Sequence, residues 1–168
     1  FQILGFHADN GSEYINYQVA KMLDKLRAEF TKSRPRHSND NGLAETKNGA
    51  VVRKMFGYGH IPQRFAASIN AFNVRYLLPF LNLHRPCLFA SERADPSKPG
   101  RIRKVYRHQD VMTPLEKLAS LDPTKRNLRG SVSLTTLQEE ARATTDLAAA
   151  AALNQARQQM FAKIHKRA

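Results

Sequence analysis

The first 33 residues change hydrophobic period twice, which narrows the architectures open to the chain. Phe1, Ile3, Leu4 and Phe6 form a short apolar run that Asn10-Gly11 stops, the pattern of a buried strand. After Asn16, a residue suited to cap a helix, Val19, Met22, Leu23 and Leu26 recur at helical spacing, with Lys21, Asp24 and Lys25 on the outer side. A short strand, about Glu29 to Ser33, comes next. Strand, helix and strand make one right-handed βαβ unit, so the chain is read as α/β.

In open α/β sheets, ligands and catalytic groups collect at the carboxyl ends of strands. Asp9 follows the apolar run directly and is expected at such an end. Glu45 follows the polar loop Arg34 to Gly42 and opens a stretch of helical character from Ala44 to about Met55. Thirty-five residues separate the two acids. Two carboxylates on rigid elements suit a hard cation such as Mg²⁺, which takes oxygen ligands in octahedral geometry. Held close without a cation they would repel, and one would tend to protonate. Spacing by itself fits more simply a turn residue at Asp9 and a helix-dipole acid at Glu45.

Neighbouring residues extend the pattern. His7-Ala8-Asp9-Asn10-Gly11-Ser12-Glu13-Tyr14 resembles the central motif of the DDE superfamily, the retroviral integrases and bacterial insertion-sequence transposases. Asn39 to Glu45 resembles that family's loop and third acidic residue, and Asn82-Leu83-His84-Arg85-Pro86 resembles the element that closes its catalytic core. The resemblance spans roughly residues 3 to 90. It implies a partial RNase H-like integrase core, a βαβ unit plus helices, followed by a basic segment and a helical C-terminal tail. It also implies DNA transposition or integration by metal-dependent phosphodiester cleavage and strand transfer, with Asp9 and Glu45 as catalytic residues ligating Mg²⁺ or Mn²⁺. The family's first Asp has no counterpart here: Asp24 falls in a helix and Asp40 in the loop. The chain is therefore read as N-terminally truncated and inactive alone. The alternative is a non-catalytic, nucleic-acid-binding remnant of a transposase. Homo-oligomers of the full-length protein are expected from the resemblance.

Charge agrees with a nucleic-acid partner. Of the net +13, +6 falls within residues 98–129, and such an excess favours polyanions with salt-dependent affinity. Arg101, Arg103, Lys104 and Arg107 surround Val105 and Tyr106 and read as a DNA-backbone surface or as a solvated basic linker. Arg34 and Arg36 in the loop, and Asn48, Arg53 and Lys54 after Glu45, are further candidate DNA contacts; Gly49 could allow close packing.

Three segments follow: residues 1–94 as the C-terminal part of the catalytic core, 95–130 as a basic linker or extension, and 131–168 as a helical tail. Pro62 suits a helix start whose Phe65, Ile69, Phe72 and Tyr76 form a core stripe, and Pro79 is expected to kink or end that helix. Pro96, Pro99 and Gly100 mark a linker. In the tail, Thr136 and Glu139 have capping-box spacing, Asp146 is a candidate cap, and Leu153, Met160, Phe161 and Ile164 line one side for docking. A single cysteine, Cys87, excludes an intrachain disulfide, and no stretch approaches a membrane span, so a cytoplasmic setting is expected. A two-stranded sheet is marginal alone, so low stability in isolation is also expected.

Overall fold

The computed structural model describes residues 3–8, 16–35, 40, 42–98, 100–125 and 128–166. It is a mixed α/β chain with small sheets, divided into two compact units at His60/Ile61.

In the first unit, β1 (Gly5–Ala8) pairs in parallel with β2 (Glu29–Lys32), Phe6 opposite Phe30 and His7 opposite Thr31. The connecting helix α1 (Tyr17–Lys25) is capped as its sequence predicts, the Asn16 side chain accepting from Val19 N at 2.9 Å. Strand alternation puts Phe6, Ala8 and Phe30 on one face, where the two rings lie 6.0 Å apart, and His7 and Thr31 on the other. Of the helical stripe, Leu23 is buried, while Met22 and Leu26 are more than half exposed. The chain leaves α1 through Arg27 at φ 51, a left-handed conformation that glycine adopts at no steric cost. Helix α2 (residues 42–56) then runs continuously, with a wider π-turn at Asn48–Arg53.

The second unit is built on α3 (residues 63–84). Pro79, which breaks ordinary helices by lacking an N–H and crowding the preceding turn, keeps helical angles (φ −57, ψ −47) between π-turns at Asn73–Leu77 and Phe80–His84. Wider turns are one way a helix absorbs a missing donor, and this helix does not end until His84. Phe65 and Phe72 are buried and Ile69 and Tyr76 partly so, the core stripe that the spacing predicts.

Beyond α3, β3 (Cys87–Ala94) and β4 (Ile102–Met112) form an antiparallel hairpin. The stretch expected as a linker is its turn: Asp95 Oδ1 accepts from Ser97 N, Asp95 N donates to Arg101 O, and Gly100 supplies a φ of +79. The turn residues were visible, but they join two strands rather than two domains. Helix α4 (Pro114–Ser120) opens with Pro at its first position and a capping box between Thr113 and Glu116. Leu115 and Leu118 pack with Leu83 of α3, and Leu121, Leu128, Leu134 and Leu137 surround them. Much of residues 95–130 is thus strand, helix and core, in contrast to a basic linker.

Helices α5 (Leu134–Arg142) and α6 (Asp146–His165) complete the unit. Their caps are Ser133 and Thr145, so neither the Thr136/Glu139 box nor an Asp146 cap forms. Asp146 instead occupies the first turn of α6 and reaches His84. Leu153, Met160 and Ile164 are buried against α3, the docking that their spacing suggests. No helix among the described residues is long and apolar enough to cross a membrane.

Candidate functional site

Asp9 lies outside the described residues, as do Arg36 and Asn39. Ala8, the last residue of β1, is buried, and its carbonyl accepts from Ser33 N at 3.0 Å, which holds the strand end against the chain leaving β2. His7 adds a second tie: Nδ1 lies 2.9 Å from Thr31 Oγ1 and Nε2 3.2 Å from Ser33 Oγ. Ser33 Oγ donates to Ala8 O, so it accepts from His7 Nε2–H, and in the neutral ring Nδ1 accepts from the Thr31 hydroxyl. Both imidazole nitrogens are thereby used, and the ring becomes a rivet between the strands immediately before Asp9. Sequence reasoning quoted His7 only as a motif letter; alternation along β1, which sets it opposite Thr31, was the available signal.

Glu45 stands in the first turn of α2, exposed, with no hydrogen bond or ion pair among the described residues. A carboxylate there has its charge favoured by the positive helix N-terminus. Asn48, Arg53 and Lys54 follow it on α2 and are all exposed. Arg53 also sits over the Tyr58 ring, 5.5 Å from its centroid. At Gly49 an added Cβ would meet nothing within 4 Å, so the close packing considered for this glycine is not found among the described residues.

Arg34, a candidate phosphate contact, is engaged within its own loop. Its guanidinium donates to both carboxylate oxygens of Asp40 at 2.9 and 3.0 Å, and its backbone N–H adds a third bond. The hydrogen bonds and charge of Asp40 raise the Arg34 pKa above its ordinary value. Asp40 is thus the partner of Arg34.

On the hairpin, Arg101, Arg103 and Lys104 are exposed, whereas Arg107 is committed to structure. A register shift between Leu88 and Ala90 bulges β4 around residues 107–110. Across it, Arg107 donates from Nε and Nη2 to Asp110 at 2.9 and 3.0 Å, and Ser91 Oγ donates to Asp110 Oδ2 at 2.5 Å. Those hydrogen bonds hold the Asp110 pKa down to about 2.

The Asn82 to Pro86 segment packs rather than reacts. Asn82 Nδ2 donates back to Leu78 O at 2.8 Å, Leu83 joins the leucine core, and buried His84 pairs with Asp146. No group of three His, Cys, Asp or Glu side chains that could hold a metal occurs among the described residues. Glu45 nonetheless has the hard oxygen donors that Mg²⁺ or Mn²⁺ requires.

No protein-family model and no solved structure matches the chain. A stretch of 61 residues, 36% of the chain, is 38% identical to part of an uncharacterized protein of Sinorhizobium fredii, and the match spans 17% of that protein's length.

Proposed function

We propose that residues 1–94 are the C-terminal part of an RNase H-like core of a DDE transposase or integrase, which cuts and joins DNA by metal-dependent phosphodiester chemistry. The observation that carries the reading is the ordered set of His7 to Tyr14, the 35-residue gap, and Glu45 at the start of a helix. The parallel β1–β2 pair, riveted through His7 at the strand end that leads into Asp9, is the support such a carboxylate needs. The open Met22 and Leu26 would face the remaining elements of such a core.

Asp9 and Glu45 would hold Mg²⁺ or Mn²⁺. Bound there, the cations would activate the attacking oxygen and stabilise the leaving oxygen of an in-line displacement. The residues of the chain do the positioning. His7 fixes the end of β1, the first turn of α2 presents Glu45, and the hairpin cations Arg101, Arg103 and Lys104 would take backbone phosphates. A homo-oligomer acting on paired DNA ends belongs to the same proposal.

The sequence encoded upstream of Phe1 tests it. An apolar strand carrying an Asp supports the enzyme; a stop codon directly upstream rejects it in favour of a nucleic-acid-binding remnant.

A further inference from the structure

We propose that Arg93 of β3 and Arg103 of β4 form a two-armed clasp for one backbone phosphate of a nucleic acid. The clasp rests on the nucleic-acid reading above and adds Arg93, which sequence reasoning did not single out.

The two arginines are directly opposed in the antiparallel register. Side chains so placed stand about 5 Å apart at Cβ, and like charges there destabilise the pair. Both are exposed, and neither makes a hydrogen bond, ion pair or ring contact among the described residues. The hairpin does not use its acids to relieve them. Glu92 is opposite Lys104 on the other face, Asp95 accepts from Ser97 N within the turn, and Asp110 is taken by Arg107 and Ser91. Arg101, exposed immediately before β4, adds a third cation at this end of the hairpin.

The register that creates this opposition is pinned from both ends. Gly100 and the Asp95 turn fix it on one side, and the Arg107–Asp110–Ser91 bulge on the other. An unfavourable pair held in a fixed register suits an anion shared between its members. Guanidinium forks match phosphate oxygens bidentately, and two forks can divide the oxygens of one phosphodiester. A base-stacking role is not needed: the neighbouring Tyr106 lies on the opposite face, across from Ala90.

The test is a titration of the full chain with a labelled DNA duplex across a salt series, repeated for Arg93→Gln, Arg103→Gln, the double variant and Lys98→Gln as a charge-matched control on the same hairpin. One lost phosphate contact lowers the log–log salt slope by about 1 and weakens binding about tenfold at about 50 mM salt. Arg93→Gln and Arg103→Gln should each show this, and the double variant should lose less than the product of the two, since they share one phosphate. Lys98→Gln should change affinity no more than about twofold. Without DNA, Arg93→Gln should raise the Tm, because a like-charge opposition is removed, and inorganic phosphate should stabilise the wild type more than the variant. An Arg93→Gln chain that matches Lys98→Gln in DNA affinity, or melts lower than the wild type, overturns the clasp and leaves the nucleic-acid reading standing. A salt-independent wild type, or one that binds a polyglutamate peptide as tightly as the duplex, overturns both.

Discussion

His84 Nδ1 donates to Asp146 Oδ1 at 2.9 Å, joining a buried ring at the end of α3 to an exposed carboxylate at the start of α6. At the other end of the same pair of helices, Phe65 and Ile164 line one cavity, so the helices run antiparallel and the hydrogen bond marks one end of their seam. Truncating Asp146 leaves the imidazole N–H without its partner inside the unit. Asp146→Ala should therefore destabilise by about 1 to 3 kcal/mol, read as a lower midpoint in urea. An unchanged midpoint would show that the ring finds water or another acceptor.

The Asp110 site makes a pH-dependent contribution. Its carboxyl is held at about 2, below the ordinary 3.8. A group with a depressed folded-state pKa stabilises the fold above its unfolded value and loses that contribution as pH falls through the folded one. Stability should thus fall between about pH 4 and pH 2 through this group. Asp110→Asn should flatten that part of the curve of Tm against pH, and an unaltered acid limb would contradict the assignment.

Arg27 offers a gain. Its φ of 51 suits glycine better than a residue with a Cβ. Arg27→Gly should stabilise the first unit by up to about 1 kcal/mol, the unfolded-state entropy of glycine offsetting part of the relief. Amide exchange of α1 and β2 would report it as slower opening; faster exchange would show that the Arg27 side chain contributes more than its backbone costs.

The leucine cluster sets a further scale. Leu118 is buried against Leu83 and Leu115, and Leu118→Ala should cost about 2 to 5 kcal/mol. A smaller loss by denaturant unfolding would mean that the cluster collapses around the deletion.

Local patterns were the legible part of this fold. The Asn16 cap, the two parallel strands and the buried stripes on α3 and α6 each follow from the spacing of a few residues. The hairpin was not seen, because Pro96, Pro99 and Gly100 read equally as linker or turn, and the alternation in Ile102 to Tyr106 is masked by its arginines and lysine. Pro79 does not end its helix for a related reason: a breaker rule assumes ordinary α turns, and wider turns flank this proline. For the site, sequence named Glu45 and the basic segment, but pairing decided which cations are engaged. Arg34 and Arg107 are tied to Asp40 and Asp110, partners six and three residues away that no charge count distinguishes from solvated neighbours.

The proposed role of Asp9 and Glu45 is to hold metal in a DNA-joining site. Its most direct measurement is strand transfer by the protein extended to include an upstream catalytic Asp, with Mg²⁺ or Mn²⁺, for the wild type, Asp9→Asn and Glu45→Gln, alongside duplex binding. The predicted result is joining by the wild type and none by either variant, with binding close to wild type in all three. Full joining activity in either variant would contradict the claim.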